Sequence, residues 1–251
     1  MPFLYHFTLN KFMQGFKQWC EFLDVLPYLL GISLLNEHAI PQQQLDAVIN
    51  NSEFKSWLQS LGITEPLGNP IPGSVGVAYP TGDFIVKFTG DKNEADAAAV
   101  LKGYDSPNLA KVFDVKRVAS YERHGMRTLL FAIVQEKLNT GVSKRHRMAG
   151  QAIYDYLDHK PGFLRGSIEG ILPGVIDRLA PKYRQDRATL MLVRQMLEKI
   201  KKIQDDRGFL TQDTHGANIA LKGREPAFFD LGRSSLDFDN PATAGARVTR
   251  L

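Results

Sequence analysis

Thr211-Gln212-Asp213-Thr214-His215-Gly216-Ala217-Asn218, followed by Phe228-Phe229-Asp230-Leu231-Gly232, is the stretch on which the reading of this chain turns. It sets an aspartate, an asparagine five positions later, and an Asp-Leu-Gly twelve positions after that. Between them lie two short apolar runs, Ile219-Ala220-Leu221 and Ala227-Phe228-Phe229, separated by a turn from Lys222 to Pro226. That pattern predicts a β-hairpin. A loop Asp, an Asn before the hairpin and an Asp-x-Gly after it can bring one carboxylate and two metal ligands to a single point. Phosphoryl transfer needs such a set: a carboxylate to orient the attacking hydroxyl, and Mg²⁺ to bridge phosphate oxygens. Asp-x-x-x-x-Asn alone is a common spacing, so its weight comes from what precedes it in order.

Immediately upstream, Arg187 to Ile203 carries Leu190, Val193, Leu197 and Ile200 on one stripe and predicts the strongest helix of the chain. Further back, residues 68 to 138 read β-β-α-β-β. Gly68, Pro70, Pro72 and Gly73 break the chain before the alternating Val75, Val77 and Tyr79. Pro80 to Asp83 is a turn, and Phe84 to Phe88 returns as a second strand. Asp91 to Tyr104 is alanine-rich and helical. Ala110 to Val118 and Met126 to Gln135 predict two more strands around a polar turn at Glu122 to Gly125.

Three features of this region carry chemistry. Gly73-Ser74-Val75-Gly76 sets two glycines three apart at a strand-turn-strand, where backbone can approach a polyphosphate; the same glycines also suit an ordinary turn. Lys87 stands mid-strand in an apolar run. Alternation puts it with Ile85 on one face and Phe84, Val86 and Phe88 on the other, so it must be paired or face a cleft. Glu94 shares a helical face with Ala97, Ala98 and Leu101 and is placed to pair with Lys87; Asp96 is the competing carboxylate, and a first-turn residue favoured by the helix dipole is the simpler reading.

The first 62 residues read as short helices. Asn51 or Ser52 caps a run with Phe54, Trp57, Leu58 and Leu61 on one stripe, and Gly62 stops it. Val25 to Leu35 is the most apolar stretch, too short for a bilayer span, which needs roughly 20 residues. The N-terminus lacks the basic start and cleavage site of a signal peptide. A single cysteine, Cys20, excludes a disulfide framework within the chain and fits a reducing cytoplasm. The chain has 251 residues, 43% of them hydrophobic, a formal charge of +4 and a pI near 9.1. That is room for one large domain or two lobes, and the mild basicity suits an anionic ligand such as a nucleotide. The densest basic cluster, Lys144-Arg145-His146-Arg147, is too short to read as a nucleic-acid arm.

Taken in order, these motifs resemble the protein-kinase superfamily. Gly73 to Tyr79 is similar to its glycine-rich loop, Ile85-Val86-Lys87 to its phosphate-lysine strand, Asp213 to Asn218 to its catalytic loop, and Asp230-Leu231-Gly232 to its metal-binding Asp-Phe-Gly. The resemblance covers residues 68 to 236. It implies ATP and Mg²⁺ as cofactors. Gly73, Ser74 and Gly76 lie over the phosphates, Lys87 on the α/β-phosphates with Glu94 as its partner, and Glu136 to Leu138 form a hinge whose backbone binds adenine. It further implies Asp213 as the residue that orients or accepts the hydroxyl proton, and Asn218 and Asp230 as metal ligands. The sequence departs from the family at several points. Ile71 stands where the first glycine would be, Gln212 replaces the arginine that couples the site to a phosphorylated activation loop, and Ile85 replaces a small residue facing adenine. His215 is similar to the Asp-x-His-x-x-Asn of aminoglycoside and choline phosphotransferases; a hydrogen-bonded structural histidine is the other reading.

The fold class expected is α+β: a two-lobed protein-kinase-like fold with a helical N-terminal extension (1–66), an N-lobe of sheet and one helix (67–138), and a reduced helical C-lobe (139–251). The chain after Gly232 is short, which resembles the minimal Ser/Thr protein kinases of T7-like bacteriophages. That implies a cytoplasmic enzyme acting on protein substrates, host proteins among them, without membrane or nucleic-acid binding. Two alternatives stand beside it: a small-molecule phosphotransferase, and a nucleotide-binding pseudokinase that acts through a partner.

Overall fold

A computed structural model describes residues 40–73, 76–123, 125–158, 164–232, 234–237, 239–243 and 248–250. Cys20, the Val25–Leu35 run and Ser74 lie outside the described residues. The architecture is mixed α+β, built on a largely antiparallel sheet. Ile40–Leu251 form one compact unit.

Among the described residues two short helices come first, α1 (Gln42–Asn50) and α2 (Ser52–Ser60). Asn51 caps α2: its Oδ1 accepts from the N–H groups of Glu53 at 2.7 Å and Phe54 at 3.1 Å. Five strands then make the main sheet: β1 (Ile71–Pro72), β2 (Gly76–Thr81), β3 (Phe84–Thr89), β4 (Val112–Arg123) and β5 (Met126–Glu136). Helix α3 (Lys92–Leu101) connects β3 to β4. The strand order is β1-β2-β3-β5-β4, all antiparallel, with β10 (Thr249–Arg250) added in parallel beside β4. The predicted order of elements over 68 to 138 is present. The hairpin of β4 and β5 is longer than the alternation suggested, because residues 119–123 still pair across it, Ser120 with Leu129 and Glu122 with Arg127.

Each face of the sheet has its own core. Val86 and Phe88 of β3 and Leu130, Ala132 and Val134 of β5 pack with Phe54, Trp57 and Leu58 of α2. Residues 40–66, which the sequence groups with the N-terminal extension, therefore share a core with the sheet. Phe131 and Ile133 point the other way, onto Ala95, Ala98 and Leu101 of α3 and the helices that follow. Asp114 joins the two sides: it accepts from Trp57 Nε1 at 2.8 Å and pairs with Lys102 Nζ at 2.6 Å.

The remaining helices are α4 (Lys144–Asp158), α5 (Ile168–Ile176) and α6 (Arg187–Arg207). Of the stripe predicted on α6, Val193, Leu197 and Ile200 are buried and Leu190 is partly buried; Met196 and Ile203 join them in the core. After α6 come β6 (Phe209–Thr211), the hairpin β7 (Ile219–Lys222) and β8 (Glu225–Phe228), and β9 (Ser234–Leu236), which pairs with β6. Among the described residues no helix is long and apolar enough to cross a membrane.

Candidate active site

The alternation of β3 decides where Lys87 points. Phe84, Val86 and Phe88 go to the core under α2, so Ile85 and Lys87 face the opposite side, where they line a cavity of about 540 Å³. The side chain of Lys87 is 16% exposed and its Nζ meets two carboxylates, Glu94 Oε1 at 2.5 Å and Asp230 Oδ1 at 2.9 Å. Asp91 caps α3 by accepting from the Asn93 N–H at 2.8 Å, and this starts the helix so that Glu94, in its first turn, turns inward. Asp96, two residues on and about 200° round the helix, pairs with Lys92 instead.

Glu94 is 1% exposed, and its Oε2 is buried with no hydrogen-bond partner among the described residues. The nearby Thr89 hydroxyl accepts from the Asp91 N–H and donates toward the Glu94 carboxylate, a small pull downward on it. Burial alone would lower the lysine, but the charges of Glu94 and Asp230 outweigh it and raise it from 10.5 to about 12. Lys87 is therefore a fixed cation. Burial pushes Glu94 up against the pull of Lys87, with the Asp230 charge adding to the rise. Burial would raise Asp230 as well, but the Lys87 charge and the Gly232 N–H hold it below the ordinary carboxylate value.

The loop from 212 to 218 is shaped by its own backbone bonds. Asn218 N–H donates to the His215 carbonyl at 2.8 Å, and Asn218 Nδ2 to the Asp213 carbonyl at 3.1 Å. Asn218 also lines the cavity. His215 Nδ1 accepts from the Ala217 N–H at 3.2 Å. In the neutral ring the proton therefore sits on Nε2, which points at Asp213 Oδ1 across 3.4 Å. The Tyr154 ring of α4 stands edge-on to His215 at 5.7 Å.

Helix α4 lies against this loop because neither contact point carries a side chain. A Cβ at Gly150 would come within 2.5 Å of the Thr214 carbonyl, and one at Gly216 within 2.9 Å of the Arg147 backbone. At the hairpin exit, a Cβ on Gly232 would lie 3.2 Å from Asp230 Oδ1 and 4.0 Å from Asp213 Oδ2. The two aspartates thus border one gap.

Of the residues marked in the sequence, Gly73, Gly76, Lys87, Glu136, Leu138, Asn218 and Asp230 line the cavity together. Glu94 acts on it through Lys87. Asp213 and His215 lie outside its lining, Asp213 beside Gly232 and His215 beside Asp213. Gly76 has a second reason to be glycine, since a Cβ there would sit 2.3 Å from the Phe88 carbonyl across β2 and β3.

Asp230 and Asn218 offer hard oxygen donors, and among the described residues no group of three His, Cys, Asp or Glu side chains gathers to hold a metal. One carboxylate and one amide oxygen suit Mg²⁺, which takes few protein ligands and completes its shell with phosphates and water. They do not suit zinc or calcium, which need fuller protein cages.

Several residues at the site had no signal in the sequence. Gln135, 4% exposed, donates to the Phe229 carbonyl at 3.2 Å, just before Asp230. Asn139 and Leu221 exchange backbone bonds at 3.3 and 2.8 Å. Lys222 reaches Glu136. All are pairings between distant segments, for which no local spacing exists. No protein-family model and no characterised protein gives a match to this chain.

Proposed function

We propose that this chain is an ATP- and Mg²⁺-dependent phosphotransferase with the two-lobed plan of protein-kinase-like enzymes. Its acceptor in this reading is a serine or threonine hydroxyl of a protein, bacterial host proteins among them, in the cytoplasm. The observation that supports it most is Lys87, held between Glu94 and Asp230 on the wall of a cavity that Asn218 also lines. A structural ion pair needs one carboxylate; a lysine kept charged by two, beside an asparagine and under a glycine turn, suits a polyphosphate.

The roles follow from the geometry. Glu94 holds Lys87 out toward the cavity, where its cation meets the α/β-phosphates. Asn218 and Asp230 would hold Mg²⁺, which supplies charge neutralisation on the phosphate oxygens when bound. His215 Nε2–H steadies Asp213 Oδ1 and leaves Oδ2 toward the gap by Gly232. Asp213 takes the proton as the acceptor oxygen bonds to the γ-phosphorus, the bond to the β-γ bridging oxygen breaks, and ADP leaves.

A second reading has one observation in its favour. The Asp213–His215 pairing with Tyr154 behind it resembles the loop of small-molecule phosphotransferases more than that of protein kinases. Incubation with γ-labelled ATP and a bacterial lysate tests both: label on protein is expected, and label only on small molecules moves the acceptor to the second reading. Asp213→Ala and Asp230→Ala should abolish transfer with the fold intact, and normal transfer by either would sink the assignment.

A further inference from the structure

The side chain of Lys222, at the end of β7, ties the hairpin that follows Asn218 to the wall of the cavity. Its Nζ lies 2.9 Å from Glu136 Oε2 and 3.2 Å from Asp105 Oδ1, and it donates to the Ser106 carbonyl at 3.1 Å. Three segments meet on one ammonium: the loop after α3, the end of β5 and the end of β7. The Lys222 side chain is 22% exposed, so these bonds replace most of its water. Glu136 Oε2 also accepts from the Lys111 N–H at 3.1 Å. Both donors draw the Glu136 carboxylate away from the cavity, so the residue meets a ligand there through its backbone.

We propose that Lys222 is a positioning residue for nucleotide binding: it clamps the Glu136 carboxylate outside the cavity and sets the Glu136–Leu138 wall at a fixed distance from Asn218. This rests on the phosphotransferase reading. Two physical consequences follow. Released from Lys222, the Glu136 carboxylate becomes a mobile anion at the mouth of a polyanion site, and like charges disfavour binding. The register between wall and hairpin then loses one of its ties and rests on the Asn139–Leu221 backbone pair and the Gln135 bond to the Phe229 carbonyl. Neither consequence touches Asp213, so the chemical step keeps its geometry.

The test is titration of ATP with Mg²⁺ by calorimetry, beside steady-state transfer rates, for four proteins: wild type, Lys222→Met, Lys222→Arg and Lys222→Met with Glu136→Gln. Lys222→Met should weaken ATP binding and raise its KM about tenfold, the size of one charge-assisted hydrogen bond, with kcat changed far less. Lys222→Arg, which keeps the cation and several donors, should restore most of the affinity. Adding Glu136→Gln to Lys222→Met should recover part of it, because no carboxylate is left to swing inward. The proposal is overturned if Lys222→Met binds ATP as tightly as a binding wild type, if kcat falls in step with affinity, or if Glu136→Gln brings no recovery. A wild-type chain that binds no ATP overturns the phosphotransferase reading, and the clamp's role with it.

Discussion

Replacing Glu94 by glutamine removes one negative charge and almost no volume, at the point where the site's electrostatics are set. Lys87 is raised from 10.5 to about 12 by two carboxylates working against burial, a net preference of about 2 kcal/mol for the cation. With Glu94 neutral, the cation keeps Asp230 alone, at 2.9 Å. Stability should fall by roughly 1–2 kcal/mol, less than the 3–5 kcal/mol typical of a buried charge left wholly unpaired. The sign with pH follows from the raised value. The Lys87 contribution is complete below pH 10.5 and is lost only as pH rises through about 12, so the Lys87 part of the loss in Glu94→Gln should be flat across neutral pH. Activity should suffer far more. In the proposed phosphotransferase, Lys87, drawn wholly onto Asp230, would compete for the metal ligand and leave the phosphates without their cation. Loss of one preorganised charge of this kind costs about 10²–10³ in kcat. Thermal melts by circular dichroism and initial rates of γ-phosphoryl transfer measure the two effects. A Glu94→Gln protein with unchanged kcat and KM, or one whose activity loss merely tracks its unfolded fraction, would refute the reasoning.

Three further perturbations separate fold from site. Asp114→Ala should cost about 2–3 kcal/mol in a denaturant melt, because it leaves the Trp57 N–H and the Lys102 ammonium without their acceptor. Burial would raise the Asp114 carboxyl, but its bonds from Lys102, Trp57 and Val115 hold it low, so its contribution is present above about pH 4 and lost as pH falls further; the variant should lack that part of the acid dependence. Gly150→Ala drives a methyl against the Thr214 carbonyl and Ile219, an overpacking of about 1–3 kcal/mol. It should lower kcat more than it lowers the melting temperature, and equal losses in all loop functions at unchanged stability would not fit a packing cause. His215→Ala removes the Nε2–H that steadies Asp213 and should reduce kcat by about 10²-fold while KM for ATP stays near wild type; a rise in KM with kcat intact would make His215 a nucleotide ligand instead.

What was legible in the sequence is what local periodicity or spacing encodes. The β-β-α-β-β order followed from alternation and turn residues, and the buried stripe of α6 from its helical repeat. Lys87 was legible because a lysine inside an apolar strand has few physical solutions. β6 and β9 were not: each has three residues, and they pair only because α6 delivers Phe209 beside Leu236. Periodicity put Glu94 on the face of Ala97, Ala98 and Leu101, but that this face meets Lys87 of β3 is a contact between two elements, which no local spacing encodes.

The glycine turn shows why motif and mechanism should be weighed separately. Gly76 is required by the strand pairing itself, since any side chain would drive a Cβ into the Phe88 carbonyl 2.3 Å away. The fold would select glycine there with or without a nucleotide, so its presence adds little to the functional reading. Lys87, Glu94 and Asp230 are the reverse case. Two carboxylates and one lysine gathered where the lysine is 16% exposed add a desolvation cost that apolar residues of similar size would avoid. Glu94 in addition buries an oxygen with no hydrogen-bond partner among the described residues. Such an arrangement is poor structural chemistry and good site chemistry, because a bound polyphosphate with its cation supplies the charges that the cluster lacks. The weight of the assignment therefore falls on these three side chains, and on the variants of Glu94 and Asp230 that separate stability from transfer.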